Sequence, residues 1–145
     1  MTSPETPARR DRWLRAAGYG LLAEVATILT IILIVSAYRF WLARGLPDAD
    51  YAAFGERAGE IVGTIGGTLY TYLFAHFLVR RLSSRFVAHG LVVALAAIAL
   101  SISGSIAGHH GVPAGYALAS VLKLAAGALA GFLYSRSPSR NRNVV

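Results

Sequence analysis

The sequence predicts an all-α integral membrane bundle of four transmembrane helices, with antiparallel up-down neighbours and both termini in the cytoplasm. Three observations carry this. The 145-residue chain is 55% hydrophobic and only 14% charged, whereas soluble domains average about 45–50% apolar and about 25% charged. The apolar residues gather into four runs near the ~20 residues that a helix needs to cross a bilayer. The basic residues collect at alternate ends of those runs. So apolar a chain is not intrinsically disordered, and its length is that of one domain.

The elements follow in order. Residues 1–12 are polar and read as a disordered tail, residues 13–135 as a single transmembrane domain, and residues 136–145 as a basic tail. The first span covers about 16–37 around the run VATILTIILIV. Trp13 and Tyr19 flank one end and Tyr38, Phe40 and Trp41 the other, as in interfacial aromatic belts. Basic residues, an apolar run and then Val35-Ser36-Ala37 also fit a cleavable signal peptide. The long basic segment and Glu24 within the run argue against cleavage. Residues 45–50 form a turn with Asp as helix N-cap, so the second helix starts near residues 49–51 and crosses at about 58–79. Short connections at 80–85 and 108–111 lead to spans at about 86–107 and 112–133, and short connections make consecutive helices antiparallel neighbours. Barrel strands would need alternating polarity over about 10 residues, which these runs lack.

Charge then sets orientation. Arg9, Arg10, Arg12, Arg15, Arg80, Arg81, Arg85, Arg136, Arg140 and Arg142 fall on one side. Arg39, Arg44 and Arg57 fall on the other, beside Asp48, Asp50 and Glu56. This bias places both termini inside and accounts for the net charge of +7 with no nucleic-acid partner. The same Arg clusters suit anionic lipid headgroups. A basic complement that is Arg but for Lys123, in an Ala- and Gly-rich chain, points to a bacterial inner membrane. The absence of cysteine excludes disulfides, thiolate nucleophiles and Cys-ligated metal centres.

The second helix carries Gly55, Gly59, Gly63 and Gly67 at a spacing of four. Such a stripe lets another helix approach closely in a membrane, either within the chain or in an oligomer. Gly127 and Gly131 form a matching stripe in the fourth span, and Gly104 and Gly108 another in the third. Beside the glycines runs a polar row: Glu56, Glu60, Thr64, Thr68, Tyr72 and His76. A polar row avoids lipid, so it faces the bundle interior or lines a hydrated path.

Glu24, Glu60 and Lys123 fall inside the spans, where a charge facing lipid costs several kcal/mol and therefore needs a partner or water. At a rise of ~1.5 Å per residue, Lys123 lies roughly 16 Å below the outer boundary and Glu24 roughly 12 Å above the inner one. Their depths match, so the two are expected to pair on adjacent helices. Lys123 also has the reach to snorkel toward Glu60. Leu21-Leu22-Ala23-Glu24-Val25 resembles the first helix of the small multidrug resistance transporters. Those are four-helix proteins in which one embedded glutamate exchanges protons for cations. The likeness covers this short stretch alone. The chain departs from that family in its greater length, in a third span without interior aromatics, and in Lys123, which repels a cationic substrate.

His76 and His89 each lie four residues inside the 80–85 connection, at one depth, as the axial ligands of a b-type haem would. His109 and His110 sit in the 108–111 connection without a neighbouring acid. No nucleophile–His–carboxylate set and no phosphate-binding loop appear. The sequence therefore predicts a non-enzymatic permeation protein without cofactor or metal. Glu24, Glu60, Lys123, Thr64 and Thr68 are its candidate ion-path residues, and it assembles as a homo-oligomer or with partner membrane subunits. An accessory or scaffold subunit of a larger membrane complex is the alternative, and a haem-binding electron carrier the third.

Overall fold

In the computed structural model, which describes residues 7–107 and 115–136, the chain is all-helical. Helix α1 (Pro7–Ala37) runs on through a π turn at Tyr38–Leu42. It is followed by α2 (Asp48–Ile61), a second π turn (Val62–Gly66), α3 (Gly67–Val79), α4 (Phe86–Ala107) and α5 (Gly115–Ser135). The α2–α3 unit is one continuous rod. Four helices are thus long and apolar enough to span a membrane: Asp11–Leu42, Asp48–Val79, Phe86–Ala107 and Gly115–Ser135. Large apolar side chains such as Leu33 and Ile65 remain 70% and 67% exposed, which suits a surface solvated by lipid.

The boundaries refine the sequence reading. Helix α1 already includes Pro7, so residues 7–12 are helical rather than tail. The third span coincides with α4, and the fourth starts at Gly115 and runs to Ser135. Residues 1–6, 108–114 and 137–145, and with them Gly108, His109 and His110, lie outside the described residues. The α1–α2 turn uses Gly45 at φ +82, a conformation glycine adopts freely. Pro47, not Asp, occupies the N-cap of α2, and Asp48 and Asp50 fill its first turn, where negative charge complements the helix dipole. The Tyr51 hydroxyl closes this turn, donating to Ala43 O at 2.6 Å and accepting from the Leu46 N–H at 3.1 Å.

Packing departs from a simple up-down order. The most extensive interfaces are α4–α5, α1–α4 and α3–α5. Two of these join helices that run in the same direction. Consecutive α3 and α4 meet less extensively across one diagonal of the bundle, and α1 and α5 scarcely touch across the other. Glycine explains the preference. A Cβ at Gly20 would collide with the backbone carbonyl of Val93, and one at Gly90 or Gly127 with the other's carbonyl. A Cβ at Gly131 would sit 2.5 Å from Val87 Cα. Backbones in such contact gain dispersion along their length, which outweighs the short 80–85 link.

We call the end carrying Arg12, Arg15, Arg80, Arg81, Arg85 and Arg136 the Arg end, and the end at the α1–α2 turn the hairpin end. At the Arg end, Arg12 donates to Ser83 Oγ at 3.4 Å and the Tyr134 hydroxyl to Arg80 O at 3.3 Å. These contacts tie α1 and α5 to the α3–α4 connection.

Candidate functional site

The site forms where the two scarcely touching helices reach across the bundle. Lys123 Nζ on α5 donates to Glu24 Oε2 on α1 at 2.6 Å. The two residues are 4% and 7% exposed. Lys123 Nζ also donates to Ser101 Oγ on α4 at 3.0 Å, and Ser101 Oγ donates to Glu24 Oε1. Three helices thus contribute one residue each to a closed triangle of charge-assisted hydrogen bonds, the strong kind. The helices are not adjacent, as depth matching had placed them, but diagonal; the length of the lysine stem supplies the reach.

The fourth helix makes room. Gly67 opens α3 just after the π turn, and a Cβ there would lie 2.8 Å from Lys123 Cε, 3.4 Å from Nζ and 3.7 Å from Thr27 Cγ2. Thr27 and Thr71, 1% and 0% exposed, flank this point. Each hydroxyl donates to the carbonyl one turn back, at Ala23 O (2.9 Å) and Gly67 O (2.7 Å). Their hydroxyls thus bond the backbone and not the pair. On the hairpin side, the Tyr116 hydroxyl donates to Ser101 O at 3.0 Å, fixing the α4 turn that presents Ser101.

The remaining candidates divide. Glu60 does not join the pair and Lys123 does not snorkel to it. Its carboxylate is exposed, with Oε1 3.8 Å from where a Cβ on Gly115 would lie, at the start of α5. Thr64 and Thr68 are half-buried, and Thr68 Oγ1 donates to Thr64 O at 2.6 Å. The π turn breaks the polar row. It accommodates one extra residue, turning everything downstream by roughly 100° relative to an unbroken α-helix. The buried row of α3 is therefore Gly67, Thr71, Ala75 and Val79, and Tyr72 and His76 sit at its margin.

The glycine stripe divides as well. Gly67, Gly127 and Gly131 are buried at close contacts. Gly59 and Gly63 face open space, and Gly55 meets only Val35 of α1, at 4.0 Å, so within the chain the stripe makes no close helix contact. Gly104 is likewise open. Gly20 and Gly90, which belong to no four-residue repeat in their helices, are the close contacts that the spacing missed. Ser101 was missed for a related reason: one serine among several in α4 carries no local signal, and only the fold brings it to the pair.

The histidines are engaged separately. His89, 4% exposed, stacks on Trp13 with centroids 4.3 Å apart, and its Nδ1 lies 2.9 Å from Arg85 O. Since a carbonyl accepts, Nδ1 is the donor, and Nε2 is buried without a hydrogen-bond partner. His76 stacks on Tyr72 at 6.0 Å and meets the Phe77 ring edge-on at 6.4 Å. Among the described residues no group of three or more His, Cys, Asp and Glu stands close enough to hold a metal ion. No family model, no curated protein and no solved structure matches the chain.

Proposed function

We propose that this chain is a small permeation protein of the cell membrane, of the bacterial inner-membrane type, in which the Glu24–Lys123 pair couples to protons or ions. One observation carries the reading: two opposite charges, buried at mid-depth, form the main link between α1 and α5. The link depends on charge. Protonating Glu24 removes the attraction and leaves an uncompensated ammonium in an apolar setting, so the triangle has two states with different helix contacts. Elements of this kind are what ligand- and proton-driven switches bias. In this reading both termini lie in the cytoplasm, with anionic headgroups at the Arg end. Proton flux into proteoliposomes tests the reading. Wild-type protein is expected to conduct above background and Glu24→Gln to fall to background. Equal, background-level flux in both would reject it.

The open Gly55–Gly59–Gly63 stripe favours a second reading, an accessory subunit whose partner helix lies on that face. A stoichiometric membrane partner that co-purifies with wild type, in the absence of any flux, supports this reading over the first.

A further inference from the structure

Burial divides the bundle at the ion pair. Toward the Arg end every spanning helix has enclosed side chains, with Ala16, Ala75, Val93 and Ala130 all at 0% exposure. Backbones touch there at Gly20 and at Gly90–Gly127. Toward the hairpin end the pattern stops. Among the described residues nothing is buried on α1 beyond Thr27, on α4 beyond Ala97, on α5 before Lys123, or within the Val62–Gly66 turn. On α2 only Tyr51 and Ala58 are buried.

Contact with lipid does not produce this asymmetry, because lipid bathes the outward faces of both halves alike. The difference lies in residues that face inward. Ser101 bonds both members of the pair and Tyr116 bonds across the α4–α5 interface, yet both are only half-buried. Exposed surface therefore reaches to within one hydrogen bond of Glu24 and Lys123. Toward the hairpin end the polar groups are hydroxyls and a carboxylate (Ser101, Tyr116, half-buried Thr64 and exposed Glu60), in place of the small apolar side chains that seal the other half. A space of that polarity holds water; an apolar one of the same size stays dry.

We infer that the Glu24–Lys123–Ser101 triangle is the floor of a water-filled vestibule that opens only toward the hairpin end, so that protons carried by water exchange with the pair from that face alone. The inference deepens the coupling-pair reading by naming the side from which the pair is reached.

The chain has no cysteine, so single-cysteine variants test this directly. A membrane-impermeant maleimide is applied in turn to each face of reconstituted vesicles, with exposed Asp50→Cys marking the hairpin face. Thr64→Cys and Tyr116→Cys, on two different helices, are expected to react from the hairpin face. Their rates should exceed that of lipid-facing Ile65→Cys by at least about tenfold, because the reacting thiolate forms only where water solvates it. Ala97→Cys and Ala126→Cys are expected to react from neither face. Only variants that elute like wild type on gel filtration are scored. Thr64→Cys and Tyr116→Cys reacting no faster than Ile65→Cys, or Ala97→Cys or Ala126→Cys reacting from the Arg face, overturns the vestibule. The labelling pattern is independent of flux: the pattern without proton flux keeps the vestibule and rejects coupling, and flux without the pattern does the reverse.

Discussion

Glu24 and Lys123 show how a buried ion pair constrains a small bundle. Removing one partner strands the other charge, which typically costs about 3–5 kcal/mol, whereas replacing both with apolar residues of similar volume is often neutral or stabilising. Glu24→Gln is therefore expected to lower the unfolding midpoint in detergent sharply, and Glu24→Leu with Lys123→Met to recover most of the loss. Ser101 does not spoil the recovery, since its hydroxyl can turn back to the carbonyl one turn earlier, as Thr27 and Thr71 already do. Equal losses in the single and double variants would show that the pair is not what holds α1 to α5. The pairing itself was legible in the sequence, because depth follows from counting residues along a helix of fixed rise. Which helices would be neighbours was not legible. That depends on where backbones come closest, a property of two helices at once.

At the scale of the element, glycine spacing proved a poor guide to glycine packing. The four-residue repeat in α2–α3 assumes a uniform helix, and the π turn at Val62–Gly66 breaks that assumption. It leaves Gly55, Gly59 and Gly63 unpacked while Gly67 enters the interior. Nothing in a periodicity count reports a π turn; the cluster Gly63, Gly66 and Gly67 is its one local sign, since glycine lowers the cost of irregular backbone. The two sets make opposite predictions. Gly127→Ala must push α4 and α5 apart at the Gly90 carbonyl, an overpacking cost of typically 1–3 kcal/mol. Gly59→Ala meets nothing and gains helix propensity, about 1 kcal/mol in water. Unfolding midpoints in dilute detergent are expected to fall for the first and to hold or rise for the second. Stability lost equally at both positions would mean that the α2 stripe is packed in the folded chain.

The whole molecule ties its chemistry to its orientation. Among the described residues, Arg12, Arg15, Arg80, Arg81, Arg85 and Arg136 share one end. Arg39, Arg44 and Arg57 stand at the other, where Arg39 is already paired with Asp48 at 3.2 Å. On the proposed topology four crossings return the chain to the side on which it started, which puts both terminal regions and the α3–α4 connection, with their Arg residues, on one side. During insertion, Lys and Arg beside a span resist transfer across the membrane, and each connection at the Arg end votes the same way. On the proposed topology the orientation is over-determined, and no single substitution should reverse it. A cytoplasmic-activity reporter fused after residue 145 is expected to be active, and one inserted at Leu46 inactive, both in wild type and with Arg12 and Arg15 changed to Ala. The reverse pattern in wild type would turn the bundle over. The Glu24–Lys123 triangle would then open toward the cytoplasm rather than away from it, and any proton exchange at the pair would draw on the opposite pool.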